Sequence, residues 1–377
     1  MSLDLSKIRE EIDTTDKEIV ELFEKRMKLC GDVAEYKIST GKKVLDKDRE
    51  NEKIEKVKSL AHNDFNRHGV GELFSQIMSI SRKMQYQILS EHGIGSNPGF
   101  KQVNDIEKKD VKVVYQGVPG AYSNKAMTDY FGKDVEHTNV KTFREAMEYV
   151  SEGRADYAVL PIENSTAGII NDTYDLLMEF NNYIVDQIDV KVEHALLGLP
   201  DAELSDIKTV YSHPQGLMQC SKFLEQHKDW KQIAQANTAG SAKKVTEDAD
   251  KTQAAIASES AAEIYGLKIL KSGIIDNDKN TTRFIIVGNK KIYRKNAGLI
   301  YICFEISHES GTLYNMLSNF IYNNLNMTRI ESRPIVDKSW EYRFYVEFEG
   351  KLEDAAVRNA IRGIEEEANW LKILGNY

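Results

Sequence analysis

The sequence predicts a protein of three consecutive parts: an all-α part, a two-lobed α/β part and an α+β part of the ferredoxin-like kind. Three observations support this fold class. Residues 4–90 contain no proline and repeat apolar side chains at helical spacing. Strand and helix patterns then alternate from Val111 to about Gly288. The final part follows the order strand, helix, strand, strand, helix, strand.

The first part, residues 1–90, is predicted to be built around one long helix that ends near Ser39. Apolar residues recur along this helix at Ile8, Ile12, Ile19, Leu22, Phe23, Leu29, Val33 and Tyr36. At 1.5 Å per residue the helix is about 54 Å long, which is too long to fold onto so small a domain. We therefore expect it to pack against a second copy of the chain as a homodimer. Two further helices are predicted near 47–61 and 70–89.

Residues 91–110 carry glycine, proline and charge without periodicity, so they are predicted to be a linker. In the α/β part, residues 111–290, the extended segment Ile184–Leu199 is expected to cross into a second lobe, and the strand near Thr282 to return to the first. The α+β part covers residues 297–377. Its predicted strands lie at 299–306, 326–335, 341–349 and 369–374, and its helices at 311–322 and 353–364.

Composition excludes several classes of function. A net charge of −9 disfavours nucleic acid and anionic membranes as partners, so an anionic ligand must be held by local cationic groups. The start of the chain lacks the pattern of a secretory signal, and no stretch is apolar enough for a membrane span. Three widely separated cysteines, Cys30, Cys220 and Cys303, indicate reduced thiols and a cytoplasmic protein. The spacing of cysteines and histidines matches no metal site, so we expect neither metal nor cofactor.

Three cations on the first helix are candidates for binding an anion. Arg26 and Lys37 are eleven residues apart, which places them within about 20° of one helix face. Arg9 lies about 100° away from Arg26 around the helix. Arg9 therefore suits a site formed with the partner copy better than a site on its own helix.

Polar residues also share faces on the next two helices. Asp46, Arg49 and Glu50 are neighbours on one face of the second helix, and Ser81 and Gln85 on one face of the third. Taken alone, the spacing favours an ordinary solvated surface with exposed ion pairs.

Residues 4–89 resemble the all-helical class of chorismate mutase. The resemblance lies in Ile8-Arg-Glu-Glu-Ile-Asp, Glu24-Lys-Arg26, Tyr36-Lys37 and Asp46-Lys-Asp-Arg-Glu50. It implies a substrate-binding set of Arg9, Arg26, Lys37, Asp46, Arg49, Glu50, Ser81 and Gln85. In that interpretation the arginines hold the two carboxylates of chorismate. Lys37 and Gln85 donate to the enol ether oxygen, and Glu50 accepts from the ring hydroxyl or, if protonated, assists at the ether oxygen.

Four polar turns stand out in the α/β part. They are Gly117-Val-Pro-Gly-Ala-Tyr-Ser123, Pro161-Ile-Glu-Asn-Ser-Thr166, Ser212-His-Pro-Gln215 and Asn280-Thr-Thr-Arg-Phe284. The first can offer backbone N–H groups to an anion at a helix start. In the last, a hydroxyl and a guanidinium are adjacent and could hold a carboxylate and contact a leaving oxygen together. Helix capping and structural hydrogen bonds are the plainer explanations for each turn alone.

Together these turns resemble prephenate dehydratase over about 111–288, a resemblance that implies a two-lobed fold like that of periplasmic binding proteins. It implies a site of Tyr122, Ser123, Glu163, Asn164, Ser165, Ser212, Gln215, Thr282, Arg283 and Phe284. Thr282 is the implied catalytic residue, donating to the departing hydroxyl of prephenate, with Asn164 and Gln215 as polar companions. Glu163 is the expected source of the proton. Arg283 either anchors a carboxylate or forms an inter-strand salt bridge.

The α+β part resembles the ACT regulatory module of phenylalanine-sensitive dehydratases. Glu331-Ser-Arg-Pro334 matches its signature, and Gly311-Thr-Leu313 departs by one residue from the usual Gly-Ala-Leu. The implied phenylalanine-binding residues are Gly311, Thr312, Leu313, Glu331, Ser332, Arg333 and Pro334, with Thr312 expected to narrow or polarise the pocket. This domain is expected to contribute to the homodimer as well, and a domain that only dimerises is the alternative.

The three resemblances together imply a bifunctional enzyme that makes prephenate from chorismate and then phenylpyruvate, with inhibition by phenylalanine, and the order of the parts supports consecutive steps on one chain. An alternative is an active mutase fused to a non-catalytic sensor of small acids. Neither interpretation includes nucleic acid, a membrane, a metal or a cofactor.

Overall fold

The computed structural model describes residues 4–94, 98–309, 311–335, 338 and 341–377. The chain forms two compact units. One unit contains the residues up to Phe100 together with Gly298–Ile373, and the other contains Lys101–Ala297 together with Leu374–Tyr377. In the described part of the chain, no helix is long and apolar enough to cross a bilayer.

The first unit begins with three helices: α1 Leu5–Thr40, α2 Lys47–Lys58 and α3 Asp64–Glu91. The long first helix is confirmed. Asp4 caps its start, and Gly41 ends it in the left-handed conformation at φ 69°. The third helix starts earlier than the predicted residue 70 because Asn63 caps it, accepting from the Asn66 N–H at 2.7 Å.

The apolar side chains of α1 are only partly covered within one chain. The small core of this region joins Ala34 to Val44, Tyr86 and Leu89. In contrast, Leu22 is 67% exposed, and other apolar side chains along α1 are also exposed. An apolar helix side of this length needs a partner to remove it from water.

The second unit contains thirteen of the strands and seven of the helices within the described residues. The strands are β1 Lys101–Val103, β2 Lys112–Gln116, β3 Glu136–Val140, β4 Tyr157–Asn164, β5 Gly168–Ile169, β6 Tyr183–Lys191, β7 Ala195–Gly198, β8 Thr209–Ser212, β9 Lys231–Ala234, β10 Gln253–Ala257, β11 Lys268–Lys271, β12 Thr281–Gly288 and β13 Ile292–Arg294. The helices are α4 Tyr122–Phe131, α5 Phe143–Ser151, α6 Asn171–Glu179, α7 Pro214–Gln219, α8 Ser221–Leu224, α9 Thr238–Asp248 and α10 Glu259–Tyr265.

These strands form two sheets, one in each lobe. In the first lobe the order is β6-β12-β4-β2-β3, with β5 beside β4, and in the second it is β11-β7-β10-β8-β9. The chain crosses between the lobes from β6 to β7, and it returns with β12, which runs antiparallel to both β4 and β6. The predicted crossing and return are both confirmed. The end of β4 therefore lies beside the start of β12, which brings two of the polar turns together.

The predicted linker is not wholly unstructured. Its residues 101–103 form β1, which pairs in parallel with β13 from Lys101↔Ile292 to Val103↔Arg294. A three-residue strand carries too little pattern to be recognised in a sequence. Residues 95–97 of the predicted linker lie outside the described residues.

The first unit is completed by β14 Leu299–Glu305, α11 Thr312–Tyr322, β15 Met327–Pro334, β16 Tyr342–Glu349, α12 Ala355–Glu367 and the first four residues of β17 Trp370–Asn376. The predicted order strand, helix, strand, strand, helix, strand is confirmed. The strands lie in the order β15-β16-β14-β17. Helix α12 packs against α3 of the helical region.

Candidate functional sites

Two of the predicted residues of the helical region meet where α1 packs against α3. The Arg26 Nη1 donates to the Ser81 Oγ at 2.5 Å, and the Ser81 hydroxyl donates in turn to the Ile77 carbonyl at 2.7 Å. Ser81 is buried and Arg26 half-buried, so the guanidinium is held at the edge of a sheltered space.

Lys37 and Gln85 are the two candidates for donating to a ligand oxygen. The Lys37 Nζ donates to the Val44 carbonyl at 2.6 Å. Burial lowers the pKa of Lys37, and the nearby carboxylates of Glu366, Glu50 and Asp46 oppose that shift. Gln85 is buried, and its side-chain oxygen has no hydrogen-bond partner among the described residues.

Helix α2 supplies the remaining polar groups of this site. Asp46 caps the helix, accepting from the Arg49 N–H at 3.2 Å, so part of its role is structural. The Glu50 carboxylate forms an ion pair with Arg82, a residue that the sequence analysis missed. Arg82 lies directly after Ser81 on α3. An arginine next to a predicted site residue is the sequence feature from which its role could have been predicted.

Arg9 is separated from the rest of this set. It is exposed on the first turns of α1. Seventeen residues of helix separate it from Arg26, which is about 25 Å along the axis. Within a single chain, Arg9 therefore cannot reach a ligand held by Arg26.

In the α/β unit, the ends of β4 and β12 bring Asn164 and Thr282 together. The Asn164 Nδ2 donates to the Thr282 Oγ1 at 2.9 Å. The Asn164 Oδ1 accepts from the backbone N–H groups of Thr166 at 3.0 Å and Ala167 at 2.8 Å, which fixes the orientation of the amide. Because the Thr282 oxygen accepts from Asn164, its own hydrogen is available to another acceptor.

Asn280 belongs to the same cluster, although the sequence analysis gave it no role. The Asn164 Nδ2 also donates to the Asn280 Oδ1, at 2.8 Å. Asn280 is 1% exposed, and its Nδ2 has no partner within the described part of the chain. Its place two residues before Thr282 was the signal that could have identified it.

Strand geometry separates Thr282 from Arg283. Neighbouring residues of a strand point to opposite faces of the sheet. The register pairs Thr282 with Asn164, and Arg283 with Glu163 and Asp189. The Arg283 Nε lies 3.1 Å from the Asp189 Oδ1, and the Arg283 Nη1 lies 3.9 Å from a Glu163 carboxylate oxygen.

Two expectations are corrected by this geometry. The hydroxyl of Thr282 and the guanidinium of Arg283 do not act on one ligand together, because they face opposite sides of the sheet. Arg283 instead forms the inter-strand salt bridge that was the alternative. Glu163 faces away from Thr282 as well, so it is not placed to pass a proton to a group held there.

Two further predicted ligand contacts are buried in the structure. Phe284 is 2% exposed and belongs to the hydrophobic core of the first lobe, where it packs with Val113 and Val159. Ser212 is fully buried, and its hydroxyl donates to the Ile256 carbonyl at 2.7 Å. These two side chains are therefore engaged inside the protein, because strand residues next to a site pack into the core as readily as they line it.

The other predicted residues of the α/β unit lie at element starts. Ser165 stabilises the turn before β12, because its Oγ accepts a hydrogen bond from the Thr281 N–H at 3.0 Å. Tyr122 and Ser123 open α4, and the Tyr122 hydroxyl donates to the Glu193 carbonyl at 2.7 Å. Gln215 lies in the first turn of α7 in the second lobe.

The turn before α4 is held against the second lobe at Gly120. This residue has φ 84°, and a Cβ added there would lie 3.1 Å from the Cα and Cβ of Ala261. The Ser258 hydroxyl donates to the Gly120 carbonyl at 2.8 Å. Only glycine fits this conformation and this close approach.

The predicted effector residues lie on α11 and β15. Gly311 is left-handed at φ 84° and caps α11, and the Thr312 hydroxyl donates to the Ser307 carbonyl at 3.0 Å. On β15, Glu331 pairs with Tyr345 and Arg333 with Arg343 of β16. Glu331 and Arg333 share one face of that strand, and Ser332 and Pro334 the other.

Comparison with known proteins agrees with this division of the chain. Residues 8–86 match the family of chorismate mutase type II, and residues 113–292 match the prephenate dehydratase family. A bifunctional chorismate mutase/prephenate dehydratase of Buchnera aphidicola is 34% identical over 99% of this chain and 96% of its own length. The chain belongs to the bifunctional chorismate mutase/prephenate dehydratase family. It is accordingly an enzyme that joins a chorismate mutase domain to a prephenate dehydratase domain.

One more bifunctional relative and one solved prephenate dehydratase are also similar to this chain. The bifunctional enzyme of Escherichia coli strain K12 is 32% identical over 99% of this chain and 96% of its own length. A crystal structure of prephenate dehydratase from Arthrobacter aurescens, in complex with L-Phe, covers 71% of this chain and 89% of that chain. It is 28% identical, with a TM-score of 0.66. The fold of the dehydratase part is therefore shared with a solved enzyme.

Proposed function

We propose that Arg26, Lys37, Glu50, Ser81 and Gln85 form the chorismate mutase site, which rearranges chorismate to prephenate. Chorismate is a dianion, and Arg26 with Lys37 supplies fixed cationic donors at the junction of α1 and α3. The rearrangement is intramolecular, so the site needs to hold one conformer and to stabilise charge that develops on the ether oxygen. The half-buried Lys37 and the buried Gln85 can donate to that oxygen, and the rearrangement needs no nucleophile.

Arg9 completes this site from a partner copy in a homodimer. Two observations support the proposal. Arg9 is about 25 Å from Arg26 along α1, and the apolar side of α1 is exposed in the single chain, with Leu22 and Leu29 at 67% and 58%. Antiparallel packing of two α1 helices covers that side and carries Arg9 of each chain toward the other chain's site.

The ends of β4 and β12 form the dehydratase site, with Thr282 as the catalytic residue. The observation that carries this assignment is the hydrogen bond from Asn164 to the Thr282 oxygen. Prephenate loses its ring carboxylate as carbon dioxide. The electrons of that carbon–carbon bond enter the ring while the bond to the ring hydroxyl breaks. The Thr282 O–H donates to the departing oxygen, which leaves as water once it has gained a proton.

Groups around the site are suited to hold the substrate carboxylates. Helix α4 begins at Tyr122 without a side-chain cap, so the backbone N–H groups of its first turn face an anion favourably. Tyr122 packs against the core of the sheet face that contains Phe284 and Val190, and Thr282 lies at the end of that same face. Gln215 at the start of α7 contributes an amide from the second lobe.

The last domain is a phenylalanine-binding ACT domain that inhibits the enzyme. Its strand and helix order is ferredoxin-like, and Gly311 and Arg333 lie at its helix start and on its edge strand. The Arthrobacter relative was crystallised with L-Phe. Equilibrium dialysis with labelled phenylalanine tests this proposal. Saturable binding that is lost in Arg333→Ala supports it, and no binding at millimolar ligand leaves the domain structural.

A coupled assay tests the proposed function as a whole. Purified protein is given chorismate, and phenylpyruvate is measured with and without phenylalanine. We expect phenylpyruvate to form and phenylalanine to suppress it. Accumulation of prephenate alone would instead favour the mutase fused to a non-catalytic sensor.

The three cysteines are free, which is consistent with the cytoplasm as the location.

A further inference from the structure

Two carboxylates lie at the C-terminal end of α12, and one cation of the same helix, Arg362, has its Nε 3.5 Å from the Glu366 Oε1. Glu366 and Glu367 are the last two residues of the helix, and their side chains are only 15% and 12% exposed. The C-terminus of a helix carries partial negative charge, so a buried carboxylate there is unfavourable without a cation or donors. Burial raises the pKa of Glu367 above its ordinary value, while Arg82 acts in the opposite sense.

The main partner of Glu367 comes from the mutase domain. The Arg82 Nε and Nη2 lie 3.2 Å and 3.1 Å from the Glu367 Oε1, and the Arg82 Nη1 donates to the Glu50 carboxylate. The Arg82 side chain is 9% exposed. A planar guanidinium that is hydrogen-bonded along two of its edges is fixed in one orientation. Glu367 therefore determines where Arg82 holds the carboxylate of Glu50.

Glu366 fixes the turn between α1 and α2 in a similar way. Its Oε2 accepts from the Leu45 N–H at 3.0 Å and from the Tyr86 hydroxyl at 3.0 Å. The neighbouring carbonyl, that of Val44, is the one that accepts from Lys37 at 2.6 Å. Glu366 thus holds one side of the peptide segment whose other side positions the Lys37 ammonium.

We propose that Glu366 and Glu367, acting through Leu45 and Arg82, are positioning residues of the chorismate mutase site, so that α12 of the last domain is a structural part of that site. This inference rests on the proposed assignment of Lys37 and Glu50 to the mutase site. Neither Glu366 nor Glu367 needs to contact chorismate. They affect the positions of Lys37 and Glu50, which do.

The test uses the full-length protein and three single variants: Glu366→Gln, Glu367→Gln and, as the matched control, Glu365→Gln. Glu365 lies on the same helix and is exposed, so its substitution makes the same change in charge and size at a position outside the network. Each preparation is assayed twice, for mutase activity with chorismate and for dehydratase activity with supplied prephenate. Dehydratase activity measures the amount of intact protein.

We expect Glu366→Gln and Glu367→Gln to lower the mutase kcat roughly tenfold or more, with a smaller change in KM, because displaced groups act chiefly in the transition state. Dehydratase turnover should stay at the level of the control. Arg82→Lys keeps the positive charge but loses the hydrogen bonds along two edges of the guanidinium. It should retain part of the mutase activity that Arg82→Gln loses.

A pH profile separates positioning from simple loss of folded protein. Lys37 faces Glu366, Glu50 and Asp46, which favour its charged form, and Arg49, which does not. Removing the Glu366 charge should therefore lower the pKa of Lys37 further, and the alkaline limb of mutase kcat/KM should move to lower pH. Partial unfolding reduces activity at every pH and leaves that limb in place.

The possible outcomes distinguish this inference from the proposed function. If Glu366→Gln and Glu367→Gln match Glu365→Gln in kcat and in the alkaline limb, while Lys37→Met abolishes mutase activity, the role of α12 is overturned and the site assignment stands. If Lys37→Met keeps mutase activity, the site assignment itself is overturned, and the inference with it.

Discussion

Replacing Thr282 by valine tests the dehydratase site most directly. Valine keeps the branched shape of threonine and removes only the hydroxyl. In the structure the Thr282 oxygen accepts one hydrogen bond, from the Asn164 Nδ2 at 2.9 Å. After the change, Asn164 keeps the Asn280 Oδ1 at 2.8 Å and the Thr281 carbonyl at 3.3 Å as acceptors. Because the Asn164 donor keeps these acceptors, we expect a loss of only about 1 kcal/mol in the free energy of unfolding.

The expected loss of activity is much larger than the loss of stability. A single preorganised donor to a developing negative charge is typically worth about 10²–10³ in kcat, or about 3–4 kcal/mol. We therefore predict that Thr282→Val lowers the dehydratase kcat by about that factor with little change in KM. Thr282→Ser, which keeps a hydroxyl at the same position, should retain most of the activity.

The measurement is phenylpyruvate formation from supplied prephenate, with chorismate mutase activity of the same preparation as the internal control. A Thr282→Val enzyme within threefold of the unaltered protein in kcat would refute the reasoning, because the departing oxygen would then not depend on this hydroxyl. Equal loss of both activities would point to misfolding, and the denaturation midpoint would reveal it.

Three further predictions concern the helical part of the chain. Lys37→Met should abolish mutase turnover and leave dehydration of supplied prephenate nearly unchanged, as measured in parallel assays; loss of both would contradict separate sites. Leu22→Glu places a charge on the exposed apolar side of α1, so light scattering should show monomers with reduced mutase activity, and a persistent dimer would exclude this interface. Burial lowers the pKa of Lys83 to about 8, against about 10.4 in an unfolded chain. Between these values the unfolded state binds more protons, so stability should rise with pH by up to about 1.4 kcal/mol per unit. Urea denaturation from pH 8 to 10 should show this rise reduced in Lys83→Met, and an identical rise in both proteins would contradict it.

Local sequence patterns were sufficient for most of the secondary structure. The 3.6-residue repeat on α1 and the glycine after it predicted a helix whose observed bounds, Leu5–Thr40, agree closely. The order of elements in the last domain was also predicted, since each strand and helix there carries its own period. Strand β1 was missed because three residues do not define a period.

The site residues were predictable only as a set of residue types. Sequence placed Thr282 and Arg283 side by side, and the alternation of a strand put them on opposite faces. Phe284 also lies next to Arg283 in the sequence, yet only packing decided that it belongs to the core. Residues that are adjacent in the sequence can point their side chains in different directions, and their adjacency alone does not show which direction each side chain takes.

By itself, the sequence determined the order of most helices and strands, the chemistry of the turns and the family to which the chain belongs, because these depend on local period and residue type. Only the tertiary structure brought Asn164 to Thr282 across 118 positions and Arg82 to Glu367 across 285 positions. Contacts at such separations depend on how elements pack, and no local pattern in the chain records that packing. The contribution of α12 to the mutase site belongs to this second kind of information.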